Sequence, residues 1–318
     1  MDLNVVKLRS DGTLDKLKNC LVVRGDLQKN VKEDTWSPTA SFRALKLFLA
    51  HAARLKVRVR QLDFVGAFLQ AKVRSRIFVK IPAIYGSIFP EFQQYCGVPL
   101  RLLKSLYGMT LSGKYWYQDL MEFLVSIGFI QSTVIRCLFF KKFPDGSVIF
   151  LLNYVDDMLY YGNSDDTLLT FETKLSERFN LETKGQAHWY LATRITQLAS
   201  YDIILDQTRY CNSILKKYLE SVGCKNVSRK HTIPLPCDFV PTSEDCSETE
   251  EKAAILMDEY KLDYASCIGS LIYLSQTHSD IIFAVNKLAR YMQKPGKIHI
   301  EALVHLLRYL RDNNNFGV

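Results

Sequence analysis

The stretch Leu151-Leu152-Asn153-Tyr154-Val155-Asp156-Asp157-Met158-Leu159-Tyr160-Tyr161 sets two adjacent carboxylates in the middle of an apolar run. Burying a bare carboxylate is costly, and two side by side repel each other. The flanks, Val148 to Val155 and Met158 to Tyr161, are rich in β-branched and aromatic residues. They read as two short strands meeting at the acidic pair, a hairpin without the usual Asn-Gly or Asp-Gly turn. Something positive should face such a pair, and a divalent cation with oxygen ligands is the natural candidate. An exposed acidic turn accounts for the same residues. A second carboxylate in a matching setting favours the cation. Residues 57–63 supply one: Val57, Val59, Gln61 and Asp63 share one face of an alternating strand, and Asp63 ends it, with Gly66 and Ala67 just beyond.

The 318 residues leave room for two domains, or for one large domain and an appendage. Hydrophobic residues make up 48% of the chain, enough for a sizeable core. The net charge of +8 suits a polyanionic partner and equally a well-solvated surface. Eight cysteines include no Cys-x-x-Cys pair and no His at zinc-ligand spacing, so they read as reduced thiols in a reducing compartment rather than a structural zinc site. There is no signal peptide and no apolar run long enough to span a bilayer. A strand under way at Val5 and a stop soon after the last helix suggest a segment of something longer.

Residues 5–24 read as a β-hairpin turning at Asp11-Gly12 and carrying Lys7, Arg9, Lys16, Lys18 and Arg24. Ser41 is placed to cap a helix with Phe42, Leu45, Leu49 and Ala52 inward. Residues 72–80 predict a strand with a basic face. Ser112 to Ile127 is a strongly amphipathic helix with Gly128 at its C-terminal cap. Ser164-Asp165-Asp166 opens a helix burying Leu168, Phe171, Leu175 and Phe179. From about Tyr201 the texture changes. A basic helix carries Arg209, Lys216 and Lys217, prolines follow, and residues 243–259 hold seven acids and one Lys, which reads as a solvated linker or loop. Three helices close the chain: the first through Tyr264, Ile268 and Leu271, the second capped by Ser279, the third through Ile300, Leu303, Leu307 and Leu310.

An Asp at one strand end, then Tyr-Val-Asp-Asp in a hairpin with a long helix between, is the layout of a right-hand polymerase palm. The ordered set is specific: Val5-Val6-Lys7-Leu8, Leu21-Val22-Val23-Arg24-Gly25, Gln61-Leu62-Asp63 with Ala67-Phe68-Leu69, Lys104-Ser105-Leu106-Tyr107-Gly108, Trp116-Tyr117, Tyr154-Val155-Asp156-Asp157, Ser270-Leu271-Ile272-Tyr273-Leu274 and Leu307-Arg308-Tyr309-Leu310. Over nearly its whole length the chain resembles the reverse transcriptases of copia-type LTR retrotransposons.

The resemblance implies an α+β fold: fingers and palm over residues 1–200, with an antiparallel sheet and packed helices, then a mostly helical thumb and connection region over 201–318, including an acidic loop at 243–259. The ribonuclease H domain that normally follows in the family is absent up to Val318. The implied activity is RNA-directed DNA polymerisation, adding dNTPs to a primer 3′ end. Two Mg²⁺ ions about 3.5–4 Å apart serve such in-line displacements, and Mn²⁺ shares their preference for oxygen ligands. Asp63, Asp156 and Asp157 are the implied catalytic residues and metal ligands. Phe68, five residues past Asp63, is the implied barrier to a 2′ hydroxyl. Tyr154, Lys18 and Arg24 complete the implied nucleotide site, although Phe68 also fits a core position and Lys18 and Arg24 a solvated hairpin. The implied partners are an RNA or DNA template with primer, dNTPs and other parts of a pol polyprotein, with no membrane. The setting is cytoplasmic, in a virus-like particle.

The chain departs from the family in three places. Cys20 replaces an Arg in the fingers run, Met109-Thr110-Leu111-Ser112-Gly113-Lys114 replaces a loop usually reading Leu-Lys-Gln-Ala-Pro-Arg, and Tyr190-Leu191-Ala192 stands for Phe-Leu-Gly. These changes suit a decaying element copy or a divergent lineage, and the alternative reading is a degenerate, weak or inactive remnant that keeps the fold and binds nucleic acid. A third reading is a structural piece of a polyprotein that works only within a larger assembly.

Overall fold

The computed structural model describes residues 2–8, 13–28, 34–221 and 230–314, and for 2–8 and 15–21 the backbone pairing alone. The chain divides into two compact units, Met1–Ala187 and His188–Val318. The short strands after residue 187 fall in the same unit as the helices that follow.

The first unit opens with the antiparallel pair β1 (Asp2–Leu8) and β2 (Leu14–Leu21). The second strand stops at Leu21, short of the expected Arg24, and the expected turn at Asp11-Gly12 lies outside the described residues. Helix α1 (Phe42–Leu55) begins where the sequence places it. Ser41 Oγ accepts from the Ala44 amide, a cap contributing about 0.5–2 kcal/mol. Strand β3 (Arg60–Phe64) leads through Gly66, at φ +62°, into the single turn α2 (Ala67–Gln70).

The basic strand expected over 72–80 is mostly loop. Only β4 (Phe78–Lys80) is extended. Upstream, Arg74 is drawn away to Asp119 and Glu122, both at 2.7 Å. Helix α3 (Ala83–Ile88) and strand β5 (Pro99–Arg101) follow, the latter paired with β4. Helix α4 (Ser112–Ser126) buries Trp116, Leu120 and Leu124, and Gly128 beyond its end takes φ +89°.

Strands β6 (Ile130–Gln131), β7 (Leu138–Lys142), β8 (Val148–Tyr154) and β9 (Asp157–Gly162) then build a meander. Helix α5 (Asp165–Arg178), capped by Ser164, returns the chain to β10 (Leu181–Gln186). The resulting six-stranded antiparallel sheet has the order β10-β3-β9-β8-β7-β6.

Strand alternation gives this sheet two faces. Leu62, Ile149, Leu151, Met158 and Tyr160 face a core shared with Trp116, Leu120, Phe171 and Leu175 of α4 and α5. Arg60 fastens β3 to α5 through Glu172 at 3.0 Å and Asp165 at 2.5 Å. The other face meets α1 at Tyr161. There the Phe48 ring packs tilted against Tyr161, 4.6 Å between centroids, and His51 Nδ1 lies 2.7 Å from the Tyr161 hydroxyl. At its other end the same face carries Asp63 and Asp157.

The second unit contains β11 (Trp189–Tyr190), β12 (Thr193–Gln197) and β13 (Ile203–Asp206), an antiparallel three-stranded sheet. Helix α6 (Thr208–Ile214) runs on into a π-helical turn over Leu215–Leu219. The acidic stretch read as a loop is largely helical. Thr249 caps α7 (Glu250–Glu259), Glu250 and Glu251 occupy the first turn, and Ala253 is buried. Acids that suggested solvation instead complement the helix dipole. Helices α8 (Tyr264–Leu274), α9 (Ile282–Ala289) and α10 (Lys297–Asp312) close the unit around Ile268, Leu271, Leu303 and Leu307. Ser279 opens a 3₁₀ turn before α9 and makes no side-chain cap bond.

Candidate active site

The acidic hairpin has a two-residue turn. Tyr154 and Asp157 are the closing pair, leaving Val155 and Asp156 as its central residues. Val155 has φ +53°. A β-branched residue at positive φ is a genuine outlier, and such strain costs about 1–3 kcal/mol unless its surroundings enforce it. Two hydrogen bonds enforce it here. The buried Trp116 indole donates Nε1–H to the Val155 carbonyl at 2.7 Å, and the Phe64 amide donates to the Asp156 carbonyl at 2.7 Å. Helix α4 and strand β3 thus grip the turn from two sides.

Two of the expected acids meet here. Asp63 and Asp157 are direct register partners across β3 and β9. Opposed residues in an antiparallel pair share a face with Cβ atoms about 4.5–5.5 Å apart. Asp156 is the turn residue that precedes Asp157. Gln61, on the same face as Asp63, donates Nε2–H to Asp157 Oδ1 at 3.2 Å. Burial pushes the Asp157 carboxyl above the usual carboxylate range; the Gln61 bond pulls it down, the Asp63 charge pushes it up, and Lys184 pulls it down.

Among the described residues, no group of three or more His, Cys, Asp or Glu is arranged to hold a metal ion. The oxygen-donor pair Asp63–Asp157 suits Mg²⁺ nonetheless, because that ion is usually held by one or two carboxylates plus water and substrate phosphates. The electrostatic strain on Asp157 is the other mark of fit, since a cation between the two acids would relieve it.

Phe68, half-buried in α2, packs against Tyr107 at 5.2 Å between ring centroids. The Tyr107 carbonyl accepts from the Val23 amide at 2.9 Å, and the Gly108 carbonyl accepts from the Gly25 amide at 3.1 Å. Main chain meets main chain here. A Cβ on Gly108, which has φ +81°, would stand 2.2 Å from the Val23 carbonyl oxygen, and one on Gly25 would stand 2.0 Å from that of Gly108. Phe68 is thereby tied to the segment that carries Arg24.

Arg24 is exposed, and its guanidinium pairs with Asp26 at 2.6 Å. With Val23, Lys80 and Phe92 it lines a pocket of about 610 Å³. Lys18 lies in β2, and its side chain is outside the described residues. In the divergent loop Met109 and Leu111 are buried.

In the second unit, Leu191 and Ala192 form a two-residue turn between β11 and β12, with φ +50° and +53°. Both central residues at positive φ is the arrangement that normally calls for Asn-Gly. The Tyr273 hydroxyl donates to the Leu191 carbonyl. The Arg209 guanidinium lies 4.7 Å over the Trp189 ring.

Sequence reasoning assigned no site role to Gln61 or Trp116. Gln61 had a signal, since it lies two residues before Asp63 on the same strand face. Trp116 had its helical spacing and its place in the Trp116-Tyr117 segment, but neither announces the bond to Val155, which joins residues 39 apart.

The family model described as reverse transcriptase (RNA-dependent DNA polymerase) matches residues 5–232. The retrovirus-related Pol polyprotein from transposon TNT 1-94 of Nicotiana tabacum is 31% identical over 313 residues, covering 96% of this chain and 23% of its own length. Those from transposons RE1 and RE2 of Arabidopsis thaliana are each 30% identical, covering 98% of this chain and 20% of their own lengths. The chain thus spans about a fifth of the curated relatives it matches. Match and motifs agree: the chain belongs to the reverse transcriptase (RNA-dependent DNA polymerase) family, in its copia-type retrotransposon branch.

Proposed function

We propose that this chain is an RNA-directed DNA polymerase domain that extends a primer with dNTPs, as part of a retrotransposon Pol polyprotein. The observation that carries the proposal is the pairing of Asp63 with Asp157 at the mouth of a strained, doubly gripped hairpin. Asp63, Asp156 and Asp157 would hold Mg²⁺, or Mn²⁺ in its place. When bound, such ions activate the primer 3′ hydroxyl and neutralise the charge of the pyrophosphate leaving group.

The chain's own residues orient the site. Gln61 orients the Asp157 carboxylate by the hydrogen bond that its side-chain amide donates. Trp116 and Phe64 fix the turn, so the acids stay put when a triphosphate approaches. Phe68, braced by Tyr107, would close the space beside a sugar 2′ carbon and favour deoxynucleotides. Tyr154, opposite Asp157, would border the nucleotide, with Arg24 and Lys18 offering positive charge to its phosphates. In this reading unit 1 is fingers and palm, and unit 2 is thumb and connection. The net charge of +8 suits a template–primer duplex, and Arg209, Lys216 and Lys217 would follow its backbone. Among the described residues no helix is long and apolar enough to cross a membrane. The cytoplasm, within a virus-like particle, is the proposed setting.

Primer extension on poly(rA)·oligo(dT) with Mg²⁺ and dTTP tests the proposal. The wild type should extend the primer, and Asp156→Asn should abolish extension. Extension that survives Asp156→Asn refutes the site assignment. The second reading, a weak or silent remnant, is favoured by the buried Leu111 where the family run commonly has Gln. It predicts duplex binding without extension in the same assay.

A further inference from the structure

The sheet face that carries Asp63 and Asp157 extends one strand further. Strand β10 is the edge strand beside β3, and Glu182 is the direct register partner of Asp63. Asp157, Asp63 and Glu182 therefore form a row of three carboxylates across β9, β3 and β10, all on one face. Like charges opposed across an antiparallel pair destabilise it. A row of three bare acids would also give an incoming cation a choice between two adjacent pairs.

The register supplies an answer. Pairing runs from Glu182–Asp63 to Thr183–Leu62, then skips to Gly185–Gln61. Lys184 is the extra, bulged residue, and Gly185 beside it takes φ +71°. Bulges occur at sheet edges and beside active sites, where they re-aim a side chain. Here the Lys184 ammonium closes onto the Glu182 carboxylate as an ion pair. The pair is accessible, with side-chain exposures of 41% for Lys184 and 62% for Glu182.

We propose that Glu182 and Lys184 are positioning residues of the carboxylate site: the bulged Lys184 neutralises Glu182, the acid directly across from Asp63, and so sets the charge that a divalent cation meets at Asp63 and Asp157. The inference rests on the polymerase reading above and adds residues to that site. The ammonium cancels the outermost acid, so the cation is directed to Asp63 and Asp157 and away from Asp63 and Glu182. Neither residue touches the reacting groups. Both act through the field at the Asp63–Asp157 pair.

Opposite substitutions move this field in opposite directions. Lys184→Met keeps the aliphatic stem and bares Glu182, so cation affinity rises. Glu182→Gln releases Lys184 to compete at the row, so affinity falls. The double variant returns close to wild type, and Lys184→Arg behaves as wild type. A unit charge about 7–8 Å away, in a mostly solvated setting, changes the affinity of a divalent ion roughly three- to tenfold at low salt. The change shrinks as salt screens it.

The test is Mn²⁺ binding to the whole chain without nucleic acid, followed by electron paramagnetic resonance, with folding of each variant checked by circular dichroism. Asp63→Asn and Asp157→Asn define which binding belongs to the site. Tighter binding by Lys184→Met with weaker binding by Glu182→Gln supports the inference. Unchanged binding in both variants, or weaker binding in both, overturns it and leaves the polymerase reading standing. Absence of any Mn²⁺ binding that depends on Asp63 and Asp157 overturns both.

Discussion

Replacing Asp157 by Asn removes one negative charge from the opposed pair and keeps an oxygen for the Gln61 amide. Like charges directly across an antiparallel ladder cost about 0.2–1 kcal/mol. For a domain the size of unit 1, 1 kcal/mol moves Tm by about 2–4 °C. Without metal at pH 7, Asp157→Asn should therefore raise Tm by roughly 1–3 °C. The pH dependence follows from the raised carboxyl of the folded wild type, which binds its proton more tightly folded than unfolded. Its contribution is fully favourable below the ordinary carboxylate range and is lost as pH rises through the raised folded-state value. The advantage of Asn is then complete at neutral pH and fades as pH falls toward 4. Magnesium should reverse the ranking. At ten times its Kd, a ligand of the folded state stabilises by about 1.4 kcal/mol, roughly 3–5 °C here. The wild type should show that gain and Asp157→Asn little of it. Differential scanning calorimetry in EDTA and then in MgCl₂, from pH 4.5 to 8, measures both. An Asn variant less stable than wild type in EDTA at pH 7, or one with an equal magnesium gain, refutes the reasoning.

Three other substitutions probe single contacts and turns, two in unit 1 and one in unit 2. Trp116→Phe strips the Val155 carbonyl of its indole donor, and a buried acceptor so orphaned costs about 1–3 kcal/mol; urea denaturation should show the loss, and primer extension should fall with it. Gly108→Ala puts a methyl 2.2 Å from the Val23 oxygen at a positive φ, which should destabilise unit 1 by more than about 1 kcal/mol in the same titration. Ala192→Gly relieves a left-handed alanine worth about 1–2 kcal/mol against a glycine entropy cost of about 0.5–1, so a thermal melt should show a gain of a few degrees.

Local pattern carried much of the fold. Ser41 and Ser164 cap the helices that their positions announce, and the apolar spacing of Trp116, Leu120 and Leu124 gives the buried face of α4. The two strands of the acidic hairpin are equally plain in the β-branched and aromatic flanks. Residues 243–259 misled because composition was weighed above capping. A Thr at 249 ahead of two glutamates is a helix start, and one buried alanine is a weak periodic signal. Lys72 to Lys80 alternated like a strand, yet the acids of α4 outcompeted a ladder for Arg74. The site itself was legible as residue types but not as geometry. Asp63 and Asp157 meet by strand pairing across 94 positions, and nothing local fixes a non-local register. The bulge at Lys184 is likewise a property of the pairing and leaves no mark in the sequence beyond the neighbouring glycine.

The joint between Val23–Gly25 and Tyr107–Gly108 is made of amide and carbonyl groups, which every amino acid except proline provides in full. Such a seam is blind to most spelling changes in the letters around it. Only the two glycines, where backbones touch, are held to one identity. The loop that follows Gly108 can therefore change its side chains, as the buried Leu111 illustrates, while the joint keeps its backbone bonds. Drift in side chains and persistence of shape are, at this joint, separate quantities.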